Sequence, residues 1–284
     1  MMALVALSCV AACNPSSLVD VSNAPNTIVD PSQVTTAASA IQLYNSAIGY
    51  MAYPLSVSNY GGILLASGLL TDELQGTRAG GTFNDIDDSR TGFAQGGGRG
   101  MGTYRAIHNA RVQQLQARQA LTLYAPNAPA AWQGQLYANE GFTILFFAEN
   151  FCSGIPLTIV PLIGDQTATR GFTTQELFTH AVAFFDSAIV AGADSAQFVN
   201  LARVGKARAL LGLGEFATAD TVVRSVPTDF VYTVQFTATG LFVNYLTRSV
   251  GRYRAQDHEG GNGLIWSTDP RPGIVTVPAR AGAM

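Results

Sequence analysis

Apolar residues return at helical intervals through most of the chain. Over residues 101–124, Ile107, Val112, Leu115 and Leu121 share one face, while Arg105, Asn109, Arg111 and Gln116 fall where side chains can stay wet. Pro126 and Pro129 interrupt the pattern, and residues 130–150 resume it with Trp132, Leu136, Phe142, Leu145 and Phe146. The two stretches read as an antiparallel helix pair across a short loop. Thr173-Thr174-Gln175-Glu176 is a capping box, in which a hydroxyl and a carboxylate each satisfy a backbone N–H that lacks a helical partner. The helix behind it should bury Leu177, Val182, Phe185 and Ile189. Further helices are expected over residues 198–213, closed by Gly212 and Gly214, and over 215–224, stopped by Pro227. Nearer the start, Asp30-Pro31 has the form of an N-cap with proline at the first helical position, ahead of Val34, Ala38, Ile41, Tyr44 and Ile48. A helix over 60–74 completes the set.

The period changes in three places. Residues 75–100 are rich in Gly, Asp, Thr and Arg and predict a long loop. Val231-Tyr232-Thr233-Val234-Gln235-Phe236 alternates and is β-branched, which predicts a strand or an extended arm. Beyond residue 260, Gly, Pro and Arg dominate and no compact element is evident. Within 201–226, Ala207, Leu210, Gly214, Phe216, Ala219 and Val223 have the small-and-large spacing of a tetratricopeptide unit, with Pro227 ending it. The expected fold is therefore mainly α, built of tetratricopeptide-like helical pairs with long loops and a few short strands.

The first residues carry a different signal. An uncharged apolar run over 1–10 leads into Ala11-Ala12-Cys13, and the polar, turn-rich Asn14-Pro15-Ser16-Ser17 follows at once. Small residues directly before a cysteine suit the narrow active site that cleaves bacterial lipoprotein signals, after which the Cys13 thiol carries the lipid. The Lys or Arg that opens such signals is absent, so a start further upstream is the expectation. The competing reading is a cytoplasmic protein with an apolar N-terminal strand. On the first reading, residues 1–13 are a signal-like segment, 14–29 a tether, and 30–284 one helical domain.

The 284 residues are 48% hydrophobic and only 12% charged, enough for a sizeable core. A net charge of -3 leaves no basic field for nucleic acid. After the first residues no run approaches the roughly 18 apolar positions of a membrane span. With Cys9 removed and Cys13 acylated, Cys152 stands alone, which leaves neither a disulfide framework nor a cysteine metal site. With no partner base evident, Cys152 reads as an inert buried thiol.

Candidate chemistry is sparse. Asp85, Asp87 and Asp88 offer oxygens to calcium but lack the glycine and distal glutamate of an EF-hand loop, so a solvated loop is the expectation. The glycines from Gly96 to Gly102 could cradle an anion, yet fit neither the P-loop nor the dinucleotide spacing. His108, His180 and His258 form no metalloprotease pattern, and no nucleophile elbow occurs. No metal, cofactor or catalytic residue is expected, and the chain reads as a non-enzyme. Flat aromatic faces that could hold a sugar are Trp266, in a Gly-rich loop and the favoured ligand contact, and Trp132, Tyr104 and Tyr253. Of these, Trp132 and Tyr104 have core-like spacing, and Tyr253, between two arginines, reads as a surface residue.

Several stretches together resemble the SusD/RagB family of outer-membrane lipoproteins. They are the start at Cys13 running into Leu18-Val19-Asp20-Val21; Gly68-Leu69-Leu70-Thr71-Asp72-Glu73-Leu74; and Leu136-Tyr137-Ala138-Asn139-Glu140-Gly141-Phe142, followed by Asn150-Phe151-Cys152-Ser153-Gly154-Ile155-Pro156-Leu157. Leu201-Ala202-Arg203-Val204-Gly205-Lys206-Ala207-Arg208-Ala209-Leu210 looks like the family's tetratricopeptide helix, and Thr268-Asp269-Pro270-Arg271 like a later element. The resemblance implies a SusD-like α-superhelix. It also implies a lipid-anchored protein at the cell surface, held in the outer membrane by acylation. Such a protein captures oligosaccharides, or other nutrients, for a TonB-dependent, SusC-like transporter. Family members run much longer, so a short or truncated member, lacking the C-terminal portion of the fold, is the expectation. The alternative is a tetratricopeptide-type periplasmic scaffold that binds a protein partner.

Overall fold

Helices carry most of the chain that the computed structural model describes, namely residues 33–56, 62–71, 73–76, 99–237 and 253–255. In chain order they are α1 (Ala37–Tyr50), α2 (Ile63–Leu70), α3 (Arg99–Tyr124), α4 (Ala130–Asn150), α5 (Thr174–Ala191), α6 (Ala196–Gly212) and α7 (Phe216–Val223). Four short strands complete the described elements: β1 (Leu74–Gly76), β2 (Ile155–Pro156), β3 (Gly171–Phe172) and β4 (Tyr253–Ala255). β1 pairs antiparallel with β4, Gln75 opposite Arg254, and β2 pairs antiparallel with β3, Ile155 opposite Phe172. The fold is mainly α, as the periodicity predicts.

Element starts follow the side chains that can cap them. Thr173 accepts the Glu176 N–H at 3.2 Å, and the Glu176 carboxylate accepts the Thr173 N–H at 2.8 Å, so the predicted capping box forms. A cap of this kind contributes about 1 kcal/mol. α1 departs from expectation. It starts at Ala37 behind a second box, Thr36 with Ser39, and not at Asp30-Pro31, which lie outside the described residues. Its buried stripe is Ala40, Leu43, Tyr44 and Ala47, which leaves Ala38 exposed. α2 is shorter than the predicted 60–74, because Thr71 caps its last turn and the chain turns into β1. α6 ends as predicted: Gly214, at φ 80°, allows the left-handed step that lets the Glu215 N–H bond the Leu210 carbonyl at 2.9 Å.

α3, α4, α5 and α6 run alternately up and down. The pairing is legible in the contacts: Gln133 with Thr122 and Asn139 with Gln114 between α3 and α4, then Gly134 beside Gly192 and Gly141 beside Phe185 between α4 and α5. Gly205 and Gly212 of α6 receive the Phe185 and Phe178 rings of α5. One apolar cluster lies among α4, α5 and α6, around Phe147, Leu145, Leu177 and Phe185. A second joins α1 to the C-terminal half of α3, through Leu43, Tyr44, Ala117 and Leu121. A third, small one joins Ala207 and Leu210 to Ala219 of α7.

Residues 231–237 take no strand pairing. They are the extended arm of the two predicted alternatives, with Phe230, Tyr232 and Val234 laid on the first cluster.

Candidate functional site

The seam between α3 and α4 holds the densest polar structure among the described residues. Arg111 and Gln116, placed by periodicity on a wet face, are instead buried, whereas Arg105 and Asn109 are exposed as predicted. The reason is that α3 packs on α1 and on α4, so two of its faces are covered. Glu140, in the middle of the apolar run of α4, meets the Arg118 Nη2 at 2.6 Å and the Arg111 Nη1 at 3.9 Å. The three side chains are 3%, 12% and 5% exposed for Glu140, Arg118 and Arg111 respectively. The second Arg111 nitrogen donates to the Thr158 carbonyl, which ties the 155–172 segment to α3. Arg118 also lies over the Tyr137 ring, 4.0 Å from its centre. Burial pushes the Glu140 carboxyl above the ordinary carboxylate range, and the charge and hydrogen bond of Arg118, then the charge of Arg111, pull it back.

Amides extend the seam. Gln114 donates to the Ala47 carbonyl of α1 at 2.7 Å and accepts from Asn139 at 3.4 Å. Gln119 accepts the Leu162 N–H at 2.6 Å, and Gln133 donates to the Arg118 carbonyl at 3.0 Å. Two residues further along α4, Gln135 accepts from the Tyr44 hydroxyl and donates to that of Tyr232 at 2.7 Å. Burial, then the neighbouring Tyr232, pushes the Tyr44 phenol up, so it stays a neutral donor.

Where the seam reaches the surface it opens into a cleft of about 330 Å³. Arg118, Thr122, Gln119, Gln133 and Tyr137 line it, and Leu162, Leu123 and Ile163 supply its apolar wall. Leu123 and Ile163 are 55% and 64% exposed, large apolar side chains left in water at the rim. A fixed cation, amides and an apolar rim are the groups of a binding site for a polar ligand with an apolar face.

The other predicted positions fall as follows. Trp132 stacks on Tyr44 with ring centres 4.3 Å apart and planes within 5°, and Tyr104 packs on Phe147 at 5.3 Å; both are half-buried and belong to the core, as their spacing predicts. Cys152 is exposed, not buried: it follows the end of α4, where the chain leaves the core ahead of β2. Tyr253 begins β4. Cys13, Trp266, His258, the Asp85-Asp87-Asp88 loop and Gly96 to Gly98 lie outside the described residues, while Gly100 and Gly102 fall inside α3. Among the described residues no group of three His, Cys, Asp or Glu could hold a metal, and no helix is long and apolar enough to cross a membrane. Periodicity missed Arg118, Glu140, Gln119 and Gln133. The available signal was a carboxylate inside the apolar run 136–147, which demands a cation from a neighbouring helix.

His108 gives this region a pH dependence. Its ring packs on Phe147 at 4.4 Å and on Tyr104 at 4.5 Å. Burial, aided by the Arg111 charge, lowers its pKa from 6.5 to about 4. The unfolded imidazole takes its proton near 6.5, so between that pH and about 4 the unfolded chain binds more protons than the folded one. Stability contributed by neutral His108 is whole above pH 6.5 and is lost as pH falls through about 4. His108→Phe is expected to flatten the profile in that window, measured by urea unfolding at pH 7.0, 5.5 and 4.5. A variant whose loss on acidification equals that of the wild type removes His108 as the cause.

No family model, no curated protein and no solved structure matches the chain.

Proposed function

We propose that this chain is a lipid-anchored binding protein. It captures oligosaccharides, or other nutrients, at the outer membrane and passes them to a TonB-dependent transporter. One observation carries the reading furthest. The family-like stretch from Leu136 to Leu157 coincides with one local structural unit: α4 to Asn150, the Phe151 cap, Gly154 at φ 110°, then Ile155-Pro156 paired with β3. The small-on-large contacts of Gly205 and Gly212 with Phe185 and Phe178 support a tetratricopeptide-like superhelix, since such pairs need glycine or alanine where the helices approach. Capture of this kind asks for no catalytic group, only a shaped surface with a few oriented hydrogen bonds. Trp266 is the proposed sugar platform outside the described residues.

Cys13 is the proposed lipid attachment. Metabolic labelling with palmitate is expected to mark the wild type and place it in the outer-membrane fraction, with a TonB-dependent transporter recovered by pull-down. Cys13→Ala should lose label and membrane residence together. Continued labelling of Cys13→Ala ends the anchor claim, and flat titrations against starch-, xylan-, fructan- and peptide-derived ligands, with polygalacturonate-derived ones flat as well, count against the capture claim.

A second reading, a periplasmic scaffold for a protein partner, has one observation in its favour: Leu211 and Phe216, exposed at the turn between α6 and α7. It predicts a pull-down that recovers a partner other than a transporter.

A further inference from the structure

The charges of the α3–α4 seam do not balance. Two guanidiniums, of Arg111 and Arg118, meet one carboxylate, Glu140, and among the described residues neither arginine pairs with any other acid. Both Nε–H groups are buried without a partner among the described residues. Glu140 hydrogen-bonds Arg118 and stands 3.9 Å from Arg111, which donates to the Thr158 carbonyl and lies away from the cleft lining. The trio so keeps one net positive charge, and the cleft meets it through Arg118, the one charged side chain among the described residues lining it. Apolar walls beside it, Leu123 and Ile163, lower the local dielectric and lengthen the reach of that charge.

The polar groups beside Arg118 are half used. Gln133 donates to the Arg118 carbonyl and to the Thr122 hydroxyl, which leaves its Oε1 as an acceptor without a partner among the described residues. Gln119 uses its Oε1 on the Leu162 N–H, which leaves its amide N–H₂ as a donor. An acceptor, a donor and a cation within one cleft match hydroxyls together with a carboxylate, on a ring whose apolar edge can lie on Leu123 or Ile163. Arg118 lies over one face of Tyr137, so on that face the ligand would meet the cation and not a bare ring.

We infer that this cleft is a subsite for a uronic acid residue, and that the captured glycan is an acidic oligosaccharide. The inference rests on the binding-protein reading above and names its ligand class. Arg118 holds the carboxylate, Gln119 and Gln133 take ring hydroxyls, and the Arg111–Glu140 pair positions Arg118. A cleft of about 330 Å³ holds the end of a chain, so the remaining sugars extend past the Leu123 and Ile163 rim.

Calorimetric titration of the full chain with digalacturonate and with neutral digalactose tests this. Digalacturonate is expected to bind at least tenfold tighter than digalactose and to weaken as salt is raised from 50 to 500 mM. Arg118→Gln should abolish the preference. Because Arg118 also pairs with Glu140, Leu123→Asp is the companion variant. It sits on an exposed rim position, leaves the seam intact, and sets a repelling charge beside the cation, so digalacturonate affinity should fall at least tenfold. Equal binding of the two sugars overturns the subsite while leaving glycan capture standing. So does tight digalacturonate binding that Leu123→Asp leaves unchanged. Binding of neither sugar, with an acidic peptide such as triglutamate bound instead, overturns both the subsite and the glycan reading.

Discussion

Glu140→Ala will destabilise the protein by about 3–5 kcal/mol, the loss expected when one member of a buried ion network is removed and the others stay charged. The geometry sets the size of the effect. Glu140 is the acid that both Arg111 and Arg118 meet; Arg111 cannot reach water without opening the α3–α4 seam, and Arg118 has only its edge in the cleft, 12% exposed. Arg111 would keep its bond to the Thr158 carbonyl, but a carbonyl dipole does not neutralise a cation. Urea unfolding at pH 7 measures the loss. The triple variant Arg111→Met, Arg118→Met, Glu140→Leu provides the decisive comparison. Replacing the whole network by apolar side chains of similar length removes the desolvation cost together with the attraction, so it should recover most of the stability lost by the single change. A Glu140→Ala loss under about 1 kcal/mol would mean that water enters the seam and that the network is not buried in solution.

That network also marks the boundary of what the chain discloses about itself. α4 was legible from residue 130 to residue 150 because Pro129 and the apolar run fix both its ends locally. α5 was legible because Thr173 and Glu176 complete a reciprocal cap within four residues. α6 was legible because Gly212 and Gly214 close it. The interior of the site was not, since each of its bonds joins distant positions: Arg118 to Glu140, Arg111 to Thr158, Gln119 to Leu162, Gln114 to Ala47. Periodicity assigns a helix one wet face. It has no means of saying that α1 and α4 cover two faces of α3, and so it sends Arg111 and Gln116 to solvent. The error at α1 has a different source. Asp30-Pro31 satisfies the local rule for a start, but Thr36 and Ser39 satisfy it as well, and the second pair carries the box that forms. The arm at 231–237 shows the limit of β-propensity: an alternating segment becomes a strand only where an edge is free to pair with it. Here the helices offer an apolar groove instead, and Tyr232 settles on Gln135.

Gly134 is the second position where a small change should have a large effect. It lies one turn into α4 where the end of α5 crosses it, so closely that a Cβ on Gly134 would stand 2.5 Å from the Gly192 nitrogen and 2.9 Å from the Ala188 carbonyl oxygen. Both obstacles are backbone, so no side-chain rotation relieves them; the helices must separate. Overpacking of this kind costs about 1–3 kcal/mol, and backbone against backbone belongs at the upper end. Alanine returns up to about 1 kcal/mol through its better helix propensity, which leaves Gly134→Ala roughly 2 kcal/mol less stable than the wild type. Gly49→Ala is the matched control. Gly49 is also helical, nothing lies within 4 Å of the Cβ it would gain, and the same substitution there should stabilise by about 0.5 kcal/mol. The opposite signs separate helix propensity from the crossing. Gly205→Ala falls between them, because its nearest obstacle is the Phe185 ring, a side chain that can tilt, with the Phe142 ring next at 3.0 Å. Thermal unfolding of the three variants should therefore rank Gly49→Ala above the wild type, Gly205→Ala below it, and Gly134→Ala lowest. If Gly134→Ala melts at or above the wild type, the close crossing of α4 and α5 is not the packing the protein adopts.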